Sequence, residues 1–219
     1  MNLLYKIKST LTLLFAFGML QGQTHDPEVK ALLQAVNAKV ESYNNIQIDF
    51  KYVLENDSEN IRQETHGKIT LSGDKYALDI LGVQRLFDGE TLYTISPEDE
   101  EVTISKDNSE DDNTISPSAL LTFYESGYNY KLDISQLKFG RKIQYIKLTP
   151  IDSEAEIKYA LLGVDTKTKH IYNLIEIGEN DTKTTLTILA FKTNIPLPKS
   201  FFKFNASDYD DYYMSIKQI

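Results

Sequence analysis

Two periods divide the chain. Val29, Leu32, Leu33, Val36, Val40 and Tyr43 recur at helical spacing, one apolar face on a single helix. Asp26 followed by Pro27 predicts its start, as an N-cap and an N1 proline, with Glu28 where the helix dipole favours an acid. The helix is expected to end near Asn44 and Asn45. From Ile46 the period becomes two. Ile46, Ile48, Phe50, Tyr52 and Leu54 alternate with polar residues, the pattern of a half-buried antiparallel strand. Strand-like runs follow at Gln63–Leu71, Lys75–Leu81, Gln84–Phe87, Thr91–Ile95, Glu101–Ser105, Lys131–Ile134, Arg141–Thr149, Glu156–Gly163, His170–Gly178 and Thr184–Thr193. Turn formers such as Ser72-Gly73-Asp74 and Asp88-Gly89 separate them, so about eleven short strands form an antiparallel meander. No alternation of strands and helices signals a parallel sheet.

The pattern breaks in three places. Lys106–Asn113 is polar and acidic, a loop by composition. Ser116-Pro117 then introduces a short apolar helix carrying Leu120, Leu121, Phe123 and Tyr124 and ending at Gly127. Near the C-terminus, Ile195-Pro196-Leu197-Pro198 reads as a stiff connector, and Phe201, Phe202 and Phe204 suggest a final short strand. At the N-terminus, Lys6 and Lys8 precede an apolar run from Leu11 to Leu20, followed by small and polar residues. This is the layout of a secretory signal peptide, shorter than the roughly 20 apolar residues that span a bilayer. The expected division is residues 1–22 as signal peptide and 23–219 as one domain in the periplasm, soluble after cleavage near Gly22 or Gln23.

Composition narrows the chemistry. The formal charge of −9 becomes −11 once Lys6 and Lys8 are removed, which disfavours nucleic acid as a partner. The chain has no Cys, excluding a disulfide scaffold, a thiol nucleophile and an N-terminal lipidated cysteine. His25, His66 and His170 are far apart, and each reads as solvent-exposed, His66 on a strand or rim. No nucleophile elbow or phosphate loop is present. The acids at Asp57, Glu59 and Glu64, and from Asp107 to Asp112, lack calcium-loop spacing. The sequence therefore calls for no metal, no cofactor and no enzymatic activity.

The apolar side chains carry more information. A curved sheet has two faces, and one helix covers part of one, so a concave apolar cavity can remain. The candidates for lining it are Phe50, Tyr52, Leu71, Tyr76, Leu78, Ile80, Phe87, Tyr93, Ile95, Ile146 and Leu148. Ile69, Tyr159, Leu161, Leu186 and Ile188 belong to the same pattern of recurring large residues.

In order along the chain, the amphipathic helix Ala31–Tyr43, Ile48-Asp49-Phe50-Lys51-Tyr52, Gly67-Lys68-Ile69-Thr70-Leu71 and Lys75-Tyr76-Ala77-Leu78-Asp79 precede Leu86-Phe87-Asp88-Gly89-Glu90-Thr91-Leu92-Tyr93. This order resembles the LolA family of outer-membrane lipoprotein carriers, in particular its divergent Bacteroidetes-like members. The last segment is similar to the family's D-G-x-x-L-W turn and strand, with Tyr93 in place of Trp. The resemblance implies a mainly β fold: an incomplete, strongly curved antiparallel barrel with short helices as a lid, here Leu120, Leu121 and Tyr124. It implies a monomeric periplasmic carrier that takes lipoprotein acyl chains from an inner-membrane releasing transporter to an outer-membrane acceptor. The alternative is a related periplasmic lipid- or lipoprotein-binding or sensing module of the same fold. Where the family has a K-R-P segment whose arginine holds the lid shut, this chain has Ser72-Gly73-Asp74; Arg62 and Arg85 are the candidates to take that arginine's place.

Overall fold

A computed structural model describes residues 26–106 and 121–217. The expected signal peptide, Leu120 and the acidic segment from Asp107 lie outside the described residues. One helix, α1 (Pro27–Glu41), precedes strands β1 (Ile46–Asn56), β2 (Ile61–Ser72), β3 (Lys75–Ile80), β4 (Val83–Phe87), β5 (Leu92–Ser96) and β6 (Glu101–Ser105). After a 3-10 turn at Phe123–Glu125 come β7 (Tyr128–Lys138), β8 (Arg141–Pro150), β9 (Ile157–Asp165), β10 (Ile171–Gly178), β11 (Lys183–Thr193) and β12 (Tyr213–Lys217).

All twelve strands form one open sheet in the order β12-β6-β5-β4-β3-β2-β1-β11-β10-β9-β8-β7. Two antiparallel meanders, β1–β6 and β7–β11, are thus joined along β1 and β11, and β12 and β7 are the edges of the sheet among the described residues. The fold is the expected open, curved, mainly β sheet, with one departure: β12 runs parallel to β6.

Register explains why one face is apolar. Cross-strand partners place Leu132, Ile146, Leu162, Leu174, Leu186 and Tyr52 in one continuous row. A second row runs Ile46, Leu71, Tyr76, Phe87 and Leu92. Facing partners share a side of the sheet, so both rows line the concave face. The helix α1 docks on this face through Val29, Leu33 and Val36, which join the same buried cluster. Asp26 caps it, accepting the Glu28 N–H at 2.9 Å. Beyond its C-terminus, the Tyr43 hydroxyl lies 2.8 Å from His170 Nε2, and the His170 ring stacks on Phe191 at 4.2 Å. His170, expected at the surface, is instead a half-buried anchor between the helix end and β10–β11.

The C-terminal segment corrects another expectation. Phe201 and Phe202 lie in a turn rather than a strand, and Phe204 stacks on Tyr93 at 4.3 Å and on Tyr209 at 5.3 Å. Asn45 fixes the start of this segment, bonding Ile195 through both its carbonyl oxygen and its amide. The aromatic strap then covers the face of β4 and β5 opposite the concave side, and β12 follows it.

Two outcomes test this arrangement. Leu33→Ala should cost about 2–5 kcal/mol in urea unfolding, as for a truncated core leucine; a near-neutral change would mean α1 is not docked. Burial, reinforced by the Lys39 charge and opposed by Asp165, holds the His170 imidazole below its ordinary value. The unfolded chain then takes the proton first, so this contribution is present above about pH 6.5 and is lost as pH falls below it. Between pH 7.5 and 5 the wild type should therefore lose more stability than His170→Phe; parallel losses would show that His170 is not held neutral.

Candidate functional site

Between the two apolar rows, the concave face leaves a cavity of about 240 Å³. From β1 it is lined by Ile48, Phe50 and Tyr52; from β2 and β3 by Ile69, Leu71, Leu78 and Ile80. The other meander supplies Leu162, Ile171, Leu174, Leu186 and Ile188, and Leu121 and Phe123 close one side. Alternation puts every second side chain of these strands into the space, which is why a single polar face of the same sheet can coexist with it.

Phe50 reaches its place through two local features. On its β11 side the register shifts between Asp49 and Phe50 because Leu189 is an extra residue of β11, a bulge that sets Ile188 opposite Phe50. Opposite it on β2 stands Gly67, where an added Cβ would collide with the tip of the Phe50 ring and come within 3.0 Å of the Asp79 carbonyl oxygen. The glycine therefore makes room for the aromatic ring that forms part of the cavity wall.

Polar groups gather at one margin. One pleat beyond Leu174 and Leu186, the Thr184 hydroxyl donates to Glu176 Oε2 at 3.1 Å. Burial and then the Glu176 charge push the hydroxyls of Tyr52 and Tyr128 up from the ordinary tyrosine value, with a hydrogen bond to Thr184 partly offsetting this at Tyr52. The lining thus passes from hydrocarbon to a carboxylate flanked by tyrosines.

The sequence-derived residues separate into three groups. Phe50, Tyr52, Leu71, Leu78 and Ile80 line the cavity, as does Leu121. Tyr76, Phe87, Ile146 and Leu148 lie on the same face but in the packed core. Tyr93 and Ile95 point to the opposite face, Tyr93 under Phe204 and Ile95 in a groove with Phe201 and Tyr209. Tyr124 is 1% exposed and belongs to the core beside α1. Its hydroxyl has no partner among the described residues, and burial drives its pKa far upward. Sequence reasoning left Leu162, Ile171, Leu174, Ile48 and Phe123 out of the lining. The signal for the first three was their place in register with Ile146, Val164 and Leu186, which requires knowing that β8 to β11 are neighbours.

The arginines also separate. Arg62 is an exposed surface residue bridging Glu55 at 3.7 Å and Glu64 at 3.1 Å. Arg85 faces Leu78 across the β3–β4 pair and so stands on the cavity side of β4. His66 is exposed on β2, and among the described residues no group of three or more His, Cys, Asp or Glu could hold a metal ion.

A family model described as outer membrane lipoprotein carrier protein LolA matches residues 41–205. No curated protein sequence matches the chain. Among solved structures, an uncharacterized conserved protein from Thermus thermophilus aligns with TM-score 0.59 at 9% identity, covering 87% of this chain and 99% of the other. LprF from Mycobacterium bovis gives 0.50 at 11% identity, over 80% of this chain and 98% of that one. MucB gives 0.50 at 16% identity, over 83% and 64% respectively. These likenesses establish the fold.

Gly67→Ala tests the cavity wall. The displaced Phe50 ring should narrow the space and weaken binding of a fluorescent fatty acid several-fold, with a stability loss of about 1–3 kcal/mol as for overpacking. Unchanged probe affinity in a titration would place the apolar site elsewhere.

Proposed function

Because the chain belongs to the LolA family of outer membrane lipoprotein carrier proteins, we propose that it is an exported periplasmic carrier that holds lipoprotein acyl chains in the concave cavity and moves them from the inner to the outer membrane. The observation that carries this reading is the cavity itself: about 240 Å³ enclosed by aliphatic and aromatic side chains, with a polar margin on one side. An engineered cavity of about 150 Å³ accommodates benzene, so this space corresponds to roughly ten carbons of one chain. At about 0.8 kcal/mol per buried methylene, that fragment gains about 8 kcal/mol against water. Such a gain supports capture, and reversible transfer requires that opening the site offset part of it.

The margin suits the other end of such a ligand. Where hydrocarbon gives way to ester, amide or peptide, Tyr52, Thr184 and Glu176 present hydroxyls and an acceptor. Leu121 and Phe123 are the described part of the lid, and Arg85 is the arginine on the cavity side of the sheet that can hold it. No helix among the described residues is long and apolar enough to cross a membrane. The partners on this reading are an inner-membrane releasing transporter and an outer-membrane acceptor. A lipid- or lipoprotein-binding or sensing module of the same fold is the second reading, in which the apolar cavity holds its ligand without carrying it between membranes.

Incubating the purified protein with spheroplasts that retain a defined lipoprotein tests the first reading. The carrier should bring lipoprotein into the soluble fraction, and its depletion in cells should leave lipoproteins at the inner membrane. Acyl-chain binding without either effect would favour the second reading. Leu78→Glu should weaken fatty-acid-probe binding at least tenfold with the fold retained, because the unpaired charge can hydrate in an empty cavity but not beside a chain. Unfolding of this variant would identify Leu78 as core; intact binding would remove it from the site.

A further inference from the structure

We infer that the hairpin between β7 and β8 is a contact site for an anionic lipid surface, with Phe139 as the inserting residue. Lys138 pairs with Arg141 across a two-residue turn, and the turn residues Phe139 and Gly140 have φ of 49° and 77°. Both values lie in the left-handed region, as a type I′ turn requires. Asn-Gly or Asp-Gly is the favoured sequence there, and a bulky aromatic residue is strained. Phe139 is nevertheless 92% exposed, so packing does not compensate for that conformation. Leu137, two residues before the tip, is a further exposed apolar side chain at 76%, on a strand that is an edge of the sheet among the described residues.

Charge selects the occupant. In a chain of net charge −9, this corner is basic. Lys138, Arg141 and Lys142 flank the tip, and the turn after β9 brings Lys167 and Lys169 beside them, because Thr166 N–H donates to the Lys142 carbonyl at 3.0 Å. The acid in that turn, Asp165, is 3% exposed and engaged internally, accepting the N–H groups of Lys167 and Thr168 at 2.9 and 3.1 Å. Arg141 is held over the Tyr172 ring at 5.0 Å, which keeps its charge at the base of the hairpin. An aromatic tip in a collar of cations matches an interface of acyl chains beneath anionic headgroups. The turn between β3 and β4 provides the contrast. Leu81 and Gly82 also have positive φ, and Leu81 is 75% exposed, but the pair flanking that turn is Ile80 and Val83, followed by Asp79 and Gln84, where the β7–β8 turn is flanked by Lys138 and Arg141.

The test is flotation of the exported protein with vesicles of phosphatidylglycerol and phosphatidylcholine, against phosphatidylcholine alone. The wild type should float with the anionic vesicles at low salt and be released as salt rises, since exposed charges are screened. Phe139→Asn creates an Asn-Gly turn, so its stability should hold or rise while vesicle binding falls about tenfold. Lys142→Gln with Lys167→Gln should weaken binding and flatten the salt dependence. Leu81→Asn should leave binding unchanged. Absence of wild-type flotation, an unaffected Phe139→Asn protein, or an equal loss in Leu81→Asn would each overturn the proposal. Retention on polyglutamate beads without flotation would assign the collar to an acidic protein segment and likewise overturn it.

Discussion

A sheet of twelve strands with one apolar face must remove that face from water, and a helix of 15 residues is too small to cover it. Closing the sheet into a barrel would solve the problem, but β7 and β12 do not meet. The remaining solution is curvature, with the two meanders folding toward each other about the β1–β11 seam. The helix fills one part of the concavity. Beside it, side chains from the two meanders approach without filling the space, and the cavity is what remains. Phe50 and Gly67 show how closely the wall is specified, because the ring occupies the volume that any side chain at position 67 would need.

The opposite face has a different solution. Around β4 and β5 it is covered by the C-terminal aromatic strap, in which Tyr93, Phe204 and Tyr209 stack in series. Around β1 and β2 it remains polar, with Lys183, Glu55, Arg62, Glu64 and Lys51 forming a surface ion-pair series. Such exposed pairs contribute little stability, about 0–1 kcal/mol each. They keep this part of the face hydrated.

Local pattern made most of the fold legible. The change from helical to alternating spacing at Ile46 and the turns at Gly73 and Gly89 fall where the structure has them. What failed has physical reasons. The strand read as Lys131–Ile134 runs from Tyr128 to Lys138, because a bulge between Leu132 and Ser135 breaks the alternation; the Gln144 amide donates to the carbonyls of Asp133 and Ile134 there. Phe201, Phe202 and Phe204 looked like a strand by residue type, yet they serve as a cover. Tyr93 and Ile95 were grouped with cavity residues because alternation tells that two residues share a face, not which face it is. That choice depends on strand order, and the pairing of β1 with β11 joins residues over a hundred positions apart.

The central claim is that acyl chains occupy the concave side between the two meanders. Photolabelling the purified protein with a diazirine-bearing palmitate, followed by peptide mapping, tests it most directly. The account predicts adducts on Phe50, Leu78, Leu174 and Ile188, suppressed by excess unlabelled palmitate. Competable labelling confined to the groove at Ile95, Phe201 and Tyr209, with none on the concave residues, would contradict it.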